Sequence, residues 1–324
     1  MPLRTRLVVR AITRERGAIS SLAAEDLPRM RAWIAPTRRP YSWITGRVRR
    51  DVSIGSTAFR ARDGHTVGVR TYRPRQGGGG PLPVLVWFHG GGWVLGNTRS
   101  YDPICTAVAH AAGVLVLNVD YRLAPEFRAP QGVLDCVDAV RWVTDSARAL
   151  GARAHGIGVA GDSAGANLSA VVTQVVQAEG GADLTHQALV YPAVDATMSQ
   201  PSVAEHAAGA ILTRADMDTF LAHYLGEGPE SLGRLDPLVS PLYAADLAGL
   251  PPALVQTADL DPLRDDGAAY GRALGDAGVE VTLTNYPRVP HGFHSFPGAT
   301  PVGRAARDEL AGWIARQAHR PRVG

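Results

Sequence analysis

A serine, a histidine, a few aspartates and two glycine-rich turns are the groups in this chain whose types and spacing could do chemistry together. Gly161-Asp162-Ser163-Ala164-Gly165 follows an apolar run at 156–160 and precedes a Ser-, Ala- and Val-rich segment at 167–176. Small residues flanking a serine suit a sharp strand-to-helix turn, where the hydroxyl stands clear of the sheet and an extra Cβ would collide with neighbouring backbone. Ser163 is therefore the candidate nucleophile. His89-Gly90-Gly91-Gly92 ends another apolar run, 84–88. Its glycines let main chain approach a reacting carbonyl, so the N–H groups of Gly91 and Gly92, with that of Ala164, are candidates for binding a tetrahedral oxyanion. Gly90 shapes the turn, and His89 reads as structural, its imidazole tying the loop to nearby backbone. A serine nucleophile needs a base and an acid that orients it. Asp259, Asp261, Asp265 and Asp266 follow a run at 253–256, and His291 and His294 follow a run at 281–283. Asp265 and Asp266 fall where a helix opens, a place that carboxylates also occupy for the macrodipole alone.

These groups are far apart in sequence, so a scaffold must gather them. Short apolar runs at 84–88, 114–119, 157–160, 188–191, 253–256 and 281–283 alternate with helical patterns at 102–111, 133–150, 166–177, 265–277 and 304–318. Alternation of this kind predicts an α/β fold: a mostly parallel central sheet, strands covered on both faces by helices, and ligands beyond the C-terminal strand ends. Both glycine motifs lie at such ends. An opening hairpin is predicted from 52–59 and 65–72 around Asp63-Gly64, and Gly77 to Gly80 read as a flexible surface loop. The segment at 198–235 interrupts the alternation with a helical stretch at 214–225 and reads as an insertion. Residues 1–50 are predicted to be an N-terminal cap segment, and 51–324 a catalytic domain with a cap insertion at about 198–235. Together the two would form a lid, with Trp33, Tyr41 and Trp43 either supplying an apolar wall to a site or only packing the cap against the core.

All 33 basic residues are arginine, and the charge is uneven. Residues 1–50 hold twelve arginines against Glu15, Glu25 and Asp26, a net +9 that leaves −6 for the rest of a chain whose total is +3. Such a segment could meet an anionic surface, but it carries no nucleic-acid-binding motif and no aromatic interleaving, which argues against a nucleic-acid partner. Its arginines are expected to face solvent or the acidic body. No stretch near the N-terminus is apolar enough for a signal-peptide core or a membrane span, so stable membrane insertion is not expected and a cytoplasmic location is. Cys105 and Cys136 sit in predicted helices as buried free thiols, outside any metal-ligand spacing, and the histidines are dispersed, so no metal site is expected.

Taken in order, His89-Gly90-Gly91-Gly92, Tyr121-Arg122-Leu123-Ala124-Pro125-Glu126, Gly161 to Gly165, Asp261-Pro262-Leu263-Arg264-Asp265 and His291-Gly292-Phe293 resemble the motifs of the hormone-sensitive-lipase family, bacterial esterases and lipases of the α/β-hydrolase fold. The resemblance covers about residues 65–315. It implies a Ser163–Asp261–His291 triad in the chain order Ser, Asp, His, an oxyanion hole at Gly91, Gly92 and Ala164 supported by His89 and Gly90, and no cofactor. It implies hydrolysis of short- to medium-chain acyl esters through a serine acyl-enzyme. His294 would then serve in packing or in a surface hydrogen bond. Tyr121 to Glu126 carries no chemistry derivable from its residues, and Ala166 stands where many relatives have glycine.

Two contrasting readings remain at this stage: a non-catalytic small-molecule-binding protein on the same fold, as in the plant gibberellin receptors, and a hydrolase of amides, thioesters or lactones. Retention of Ser163, Asp261 and His291 argues against the first. A homodimer through the edge strand at 281–283 and the following helix is expected, because an open sheet edge leaves unpaired N–H and C=O groups.

Overall fold

The computed structural model describes residues 1–17, 19–21, 23–34, 41–75 and 80–321. The expected loop at Gly77 to Gly80 lies, but for Gly80, outside the described residues. Eight strands form one sheet: β1 (Val52–Arg60), β2 (Thr66–Pro74), β3 (Leu82–Phe88), β4 (Leu115–Asp120), β5 (Ala152–Asp162), β6 (Leu184–Val190), β7 (Ala253–Leu260) and β8 (Val281–Pro290). Their spatial order is β1-β2-β4-β3-β5-β6-β7-β8. The β1–β2 hairpin is antiparallel and β2 runs antiparallel to β4, while every pair from β4 to β8 is parallel. The helices are α1 (Leu3–Arg16), α2 (Leu27–Arg31), α3 (Ser42–Thr45), α4 (Asp102–Ala112), α5 (Gln131–Ser146), α6 (Ala164–Ala178), α7 (Pro201–Glu205), α8 (Arg214–Leu225), α9 (Arg264–Asp276) and α10 (Gly303–Ala318).

The continuous apolar runs are explained by cores on both faces. In β3, Val84, Val86 and Phe88 point into one core with Val137, Val140 and Leu168 of α5 and α6, while Leu85 and Trp87 point into another with Val108 and Ala109 of α4 and Leu310 and Ile314 of α10. Period-two geometry sends neighbours to opposite faces, so a strand sandwiched in this way has no polar side to show. The expectation that every run is covered on both faces fails at β8. This edge strand alternates exposed and half-buried positions along most of its length, and Leu283 is 43% exposed. It has a neighbour, β7, on one side only, and α9 covers part of one face.

Register places the C-terminal strand ends level: Phe88 pairs with Gly161, Asp162 with Val190, and Leu260 with Pro290. His89, Ser163, Asp261 and His291 are each the first residue beyond their strand, which is how four distant segments meet. Helical elements cap this end of the sheet: α7 and α8 from the 198–235 segment, and the short helices of residues 1–50.

Candidate active site

Ser163 occupies the turn between β5 and α6 with φ 56° and ψ −121°, a left-handed conformation that a side chain adopts only when its surroundings impose it. Two features impose it. The Ser163 N–H donates to the Val190 carbonyl at 2.8 Å, and the turn presses so close to β3 that a Cβ on Gly165 would collide with the Phe88 carbonyl. His291 Nε2 lies 2.9 Å from Ser163 Oγ, and its Nδ1 lies 2.7 Å from Asp261 Oδ2. The Asp261 carboxylate is buried, and its other oxygen accepts the Leu263 N–H at 2.9 Å. The edge of the Tyr191 ring supports the imidazole, with centroids 4.8 Å apart.

Of the four aspartates, Asp261 alone meets His291. Asp259 accepts the Arg288 N–H, and Asp265 accepts the Ser202 N–H while pairing with Arg264. Asp266 does more than open a helix: it is buried, one oxygen accepts the N–H groups of Val194 and Asp195, and burial raises its carboxyl well above the usual range. His294 is also buried, with neither ring nitrogen partnered and its pKa pulled down to about 3 by desolvation. Of the two roles expected of it, the structure gives packing and no surface hydrogen bond, because the loop turns its ring inward against Tyr191 and Phe293.

The glycine loop is bound on both sides. His89 is buried, its Nδ1 is 2.9 Å from the Gly90 carbonyl, and it stacks on Tyr121, whose hydroxyl donates to the His89 carbonyl at 2.6 Å. The Gly90 N–H is shared between the Tyr101 hydroxyl at 2.7 Å and the Asp162 carboxylate at 3.1 Å, and Tyr101 donates to that carboxylate at 3.0 Å. Burial raises Asp162 to about 6, while these donors oppose the shift. Among the described residues, no group accepts the N–H of Gly91, Gly92 or Ala164. All three residues line the same cavity as Ser163 and His291. Unpaired donors beside a nucleophile are what an oxyanion requires.

That cavity measures about 200 Å³. Its apolar wall is shared by Ile211, Leu212, Met217, Phe220 and Leu221 of the 198–235 segment, Trp93 and Leu95 after the glycine loop, Leu263, and Ile19 from the N-terminal segment. Trp33, Tyr41 and Trp43 do not line it: they are 48%, 53% and 45% exposed, and Trp43 lies under the Arg4 guanidinium at 4.3 Å. Sequence reasoning missed the clamp of Asp162, Tyr101 and Tyr121. The variable position of Gly-x-Ser-x-Gly and the tyrosine opening the 121–126 motif were the visible signals, but their partners lie tens of residues away. Among the described residues, no three metal-ligating side chains gather, and no helix is long and apolar enough to cross a membrane.

A parallel sheet with this strand order, a strained serine turn and a histidine at the strand ends defines the α/β-hydrolase class. The family model for the alpha/beta hydrolase fold matches residues 85–295. The chain is 44% identical over 238 residues to carboxylesterase NlhH of Mycobacterium tuberculosis, covering 74% of this chain and 75% of that protein. It is 38% identical over 252 residues to ethyl acetate hydrolase of Pseudomonas putida, covering 77% and 78%. The structure of a hyperthermophilic esterase from Pyrobaculum calidifontis superposes with a TM-score of 0.84 at 33% identity, covering 98% and 99% of the two chains. The chain belongs to the α/β-hydrolase fold family, among the esterases and lipases related to bacterial carboxylesterases of the hormone-sensitive-lipase type. Carboxylic-ester hydrolysis is the general activity that this membership carries.

Proposed function

We propose that this enzyme hydrolyses short- to medium-chain acyl esters through an acyl-enzyme on Ser163. The observation that carries the reading is the continuous line from Asp261 Oδ2 through His291 to Ser163 Oγ, at 2.7 and 2.9 Å, on the floor of a mostly apolar cavity of about 200 Å³. His291 takes the Ser163 proton as Oγ attacks the ester carbonyl, and Asp261 holds the imidazole tautomer and stabilises the imidazolium. The oxyanion that forms is bound by the N–H groups of Gly91, Gly92 and Ala164. Collapse of this intermediate breaks the C–O bond, and His291 returns the proton to the leaving alcohol. Water then attacks the acyl-enzyme with the same base, releasing the acid.

Cavity size and lining support acyl groups of a few carbons, and one relative bears the name ethyl acetate hydrolase. In this reading residues 51–324 are the catalytic domain, the insertion at about 198–235 walls the acyl site, and 1–50 is a cap segment. Pairing of β8 edges into a homodimer and a cytoplasmic location belong to the same proposal. The test is a panel of p-nitrophenyl esters of rising acyl length, run beside an anilide and a lactone. The reading expects fastest turnover on short to medium esters. A preferred anilide or lactone replaces the substrate class, and no turnover of any member removes the catalytic reading.

A further inference from the structure

The outer face of α1 is left open by the described residues. One side of this helix is anchored: Val9 is buried, Val8 and Ile12 pack against the same core, and the buried Thr5 hydroxyl donates to the Ala299 carbonyl at 2.8 Å. The other side carries Leu3, Leu7, Arg10 and Arg14, whose spacings of four, three and four residues put them in one stripe along the helix, with Arg6 beside it. All five are exposed, Leu3 by 67% and Leu7 by 58%. Arg6, Arg10 and Arg14 make no side-chain hydrogen bond or ion pair among the described residues, so the acidic excess of residues 51–324 leaves them unneutralised. Arg4 lies over the Trp43 ring at 4.3 Å and brings a partly exposed indole to the margin of this face. The single acidic residue of the helix, Glu15, lies off the stripe and accepts the Trp33 indole N–H at 3.4 Å.

Exposed leucines taken singly are ordinary, but leucines in line with unpaired arginines make a mixed face whose two chemistries point to one kind of partner. Phosphate-bearing lipid headgroups supply negative charge, and the boundary between headgroups and acyl chains takes up leucine side chains and an indole. A nucleic acid would satisfy the arginines and leave the leucines in water. We propose that the outer face of α1 docks the protein on an anionic phospholipid surface. The helix lies along that surface, with Arg6, Arg10 and Arg14 on the phosphates and Leu3 and Leu7 entering the headgroup layer. A contact of this size holds the protein reversibly, and it needs no segment that crosses the bilayer. The proposal goes beyond ester hydrolysis and does not depend on it.

Flotation of the full chain with phosphatidylcholine vesicles, with and without a third of the lipid replaced by phosphatidylglycerol, tests it. We expect binding to the phosphatidylglycerol vesicles alone, weakened severalfold or more at about 0.5 M salt, where exposed charges are screened. Each arginine near an anionic surface adds about fivefold, so a protein carrying Arg6→Gln, Arg10→Gln and Arg14→Gln should bind on the order of 100-fold more weakly. Leu3→Ser with Leu7→Ser should weaken binding by about tenfold. These positions are exposed, so both variants should melt with the wild type. Absence of binding to phosphatidylglycerol vesicles, equal binding to the two vesicle types, or undiminished binding of the arginine variant overturns the proposal. So does full binding by the leucine variant, which would make the face a general polyanion site on which duplex DNA competes phosphate for phosphate. Should the triple arginine variant not fold, Arg10→Gln alone decides, with a loss of about fivefold expected and no loss overturning the proposal.

Discussion

Two segments cover the strand ends, and they are attached by different physics. The helix α8 of the 198–235 segment is held by apolar burial: Met217, Phe220, Leu221 and Tyr224 are all buried in the main core, and Tyr224 stacks on Trp93 with ring centroids 4.5 Å apart. Phe220 lies so close over Gly92 that a Cβ there would clash with its ring. Residues 1–50 bury fewer side chains, among them Val9, Ile19 and Leu27, and add polar ties. Arg31 donates to the carbonyls of Val94 and Ala124 and pairs with Glu126, while Asn97 donates to the Arg31 carbonyl. The two covers touch where the Ser20 N–H meets Asp216 at 3.0 Å. The difference separates roles. The insertion contributes five side chains to the wall of the cavity at Ser163, whereas the N-terminal segment is tied mainly through Arg31 to the 94–97 loop and the 121–126 turn.

The comparison is sharpest if the chemistry belongs to neither cover. Ser163→Ala should lower kcat for ester hydrolysis on the order of 10⁴- to 10⁶-fold with the fold retained, because Oγ is the attacking atom. Circular dichroism and p-nitrophenyl acetate kinetics check both halves. Activity near wild type would falsify the role of Ser163 and throw the chemistry back onto the covering segments. Next in size, Asp261→Asn should cost about 10⁴ in kcat by presenting the wrong imidazole tautomer, whereas Asp259→Asn and Asp265→Asn should each cost less than about tenfold. Their carboxylates serve backbone and arginine partners away from His291. The ranking from steady-state kinetics is the measurement, and a costly Asp259 or Asp265 reverses it.

What the sequence disclosed divides along the same line. Ser163, His291 and the glycine loop were legible because each demands a residue type at a local spacing, and strand alternation placed them all at one edge. Asp261 needed the resemblance, since four aspartates in eight residues look alike until the chain direction at the end of β7 is known. The clamp of Tyr101, Asp162 and Gly90 was hidden because it joins positions 61 and 72 residues apart through side chains with no motif of their own. Trp33, Tyr41 and Trp43 misled for the opposite reason. Aromatic composition signals a surface able to bury itself, yet not which surface, and here all three stay substantially exposed while Ile19 reaches the cavity. Edge position likewise decides the exposure of β8, and no apolar run of three residues announces that its strand is last in the sheet.

The covers themselves can be told apart by cavity size. Phe220→Ala removes a ring from the cavity wall, so the acyl-length optimum should move towards longer chains, with kcat/KM for the longer ester rising severalfold relative to acetate, and stability should fall by about 3 kcal/mol. Ile19→Ala, the corresponding change in the N-terminal segment, should shift the same ratio by less than about twofold. A p-nitrophenyl ester series on both variants decides the point. An equal or larger shift from Ile19→Ala gives the N-terminal segment a share in specificity that its single contact does not suggest.

The smallest expected effect concerns the latch. The Arg31 guanidinium beside Glu126 holds that carboxyl below the usual carboxylate range, so its folded pKa is depressed. A depressed carboxylate contributes stability that is present above the unfolded pKa of about 4.3 and is lost as pH falls through the folded value. Glu126 is half exposed, and solvent screening limits the pair to about 0–1 kcal/mol. Acid also acts on the core. His186 is buried, with desolvation pulling it down to about 3, so the unfolded chain binds the extra proton first and stability declines as pH falls below about 6.5 whatever the latch does. The latch must therefore be read as a difference between melting curves. Glu126→Gln should melt slightly below wild type at pH 7, and the gap should close as pH falls below about 4, while the decline between pH 6.5 and 5 should be the same in both proteins. A gap that persists at pH 3 would mean that the substitution acts through something other than the ion pair, and no gap at pH 7 would mean that the Val94 and Ala124 carbonyls hold Arg31 unaided.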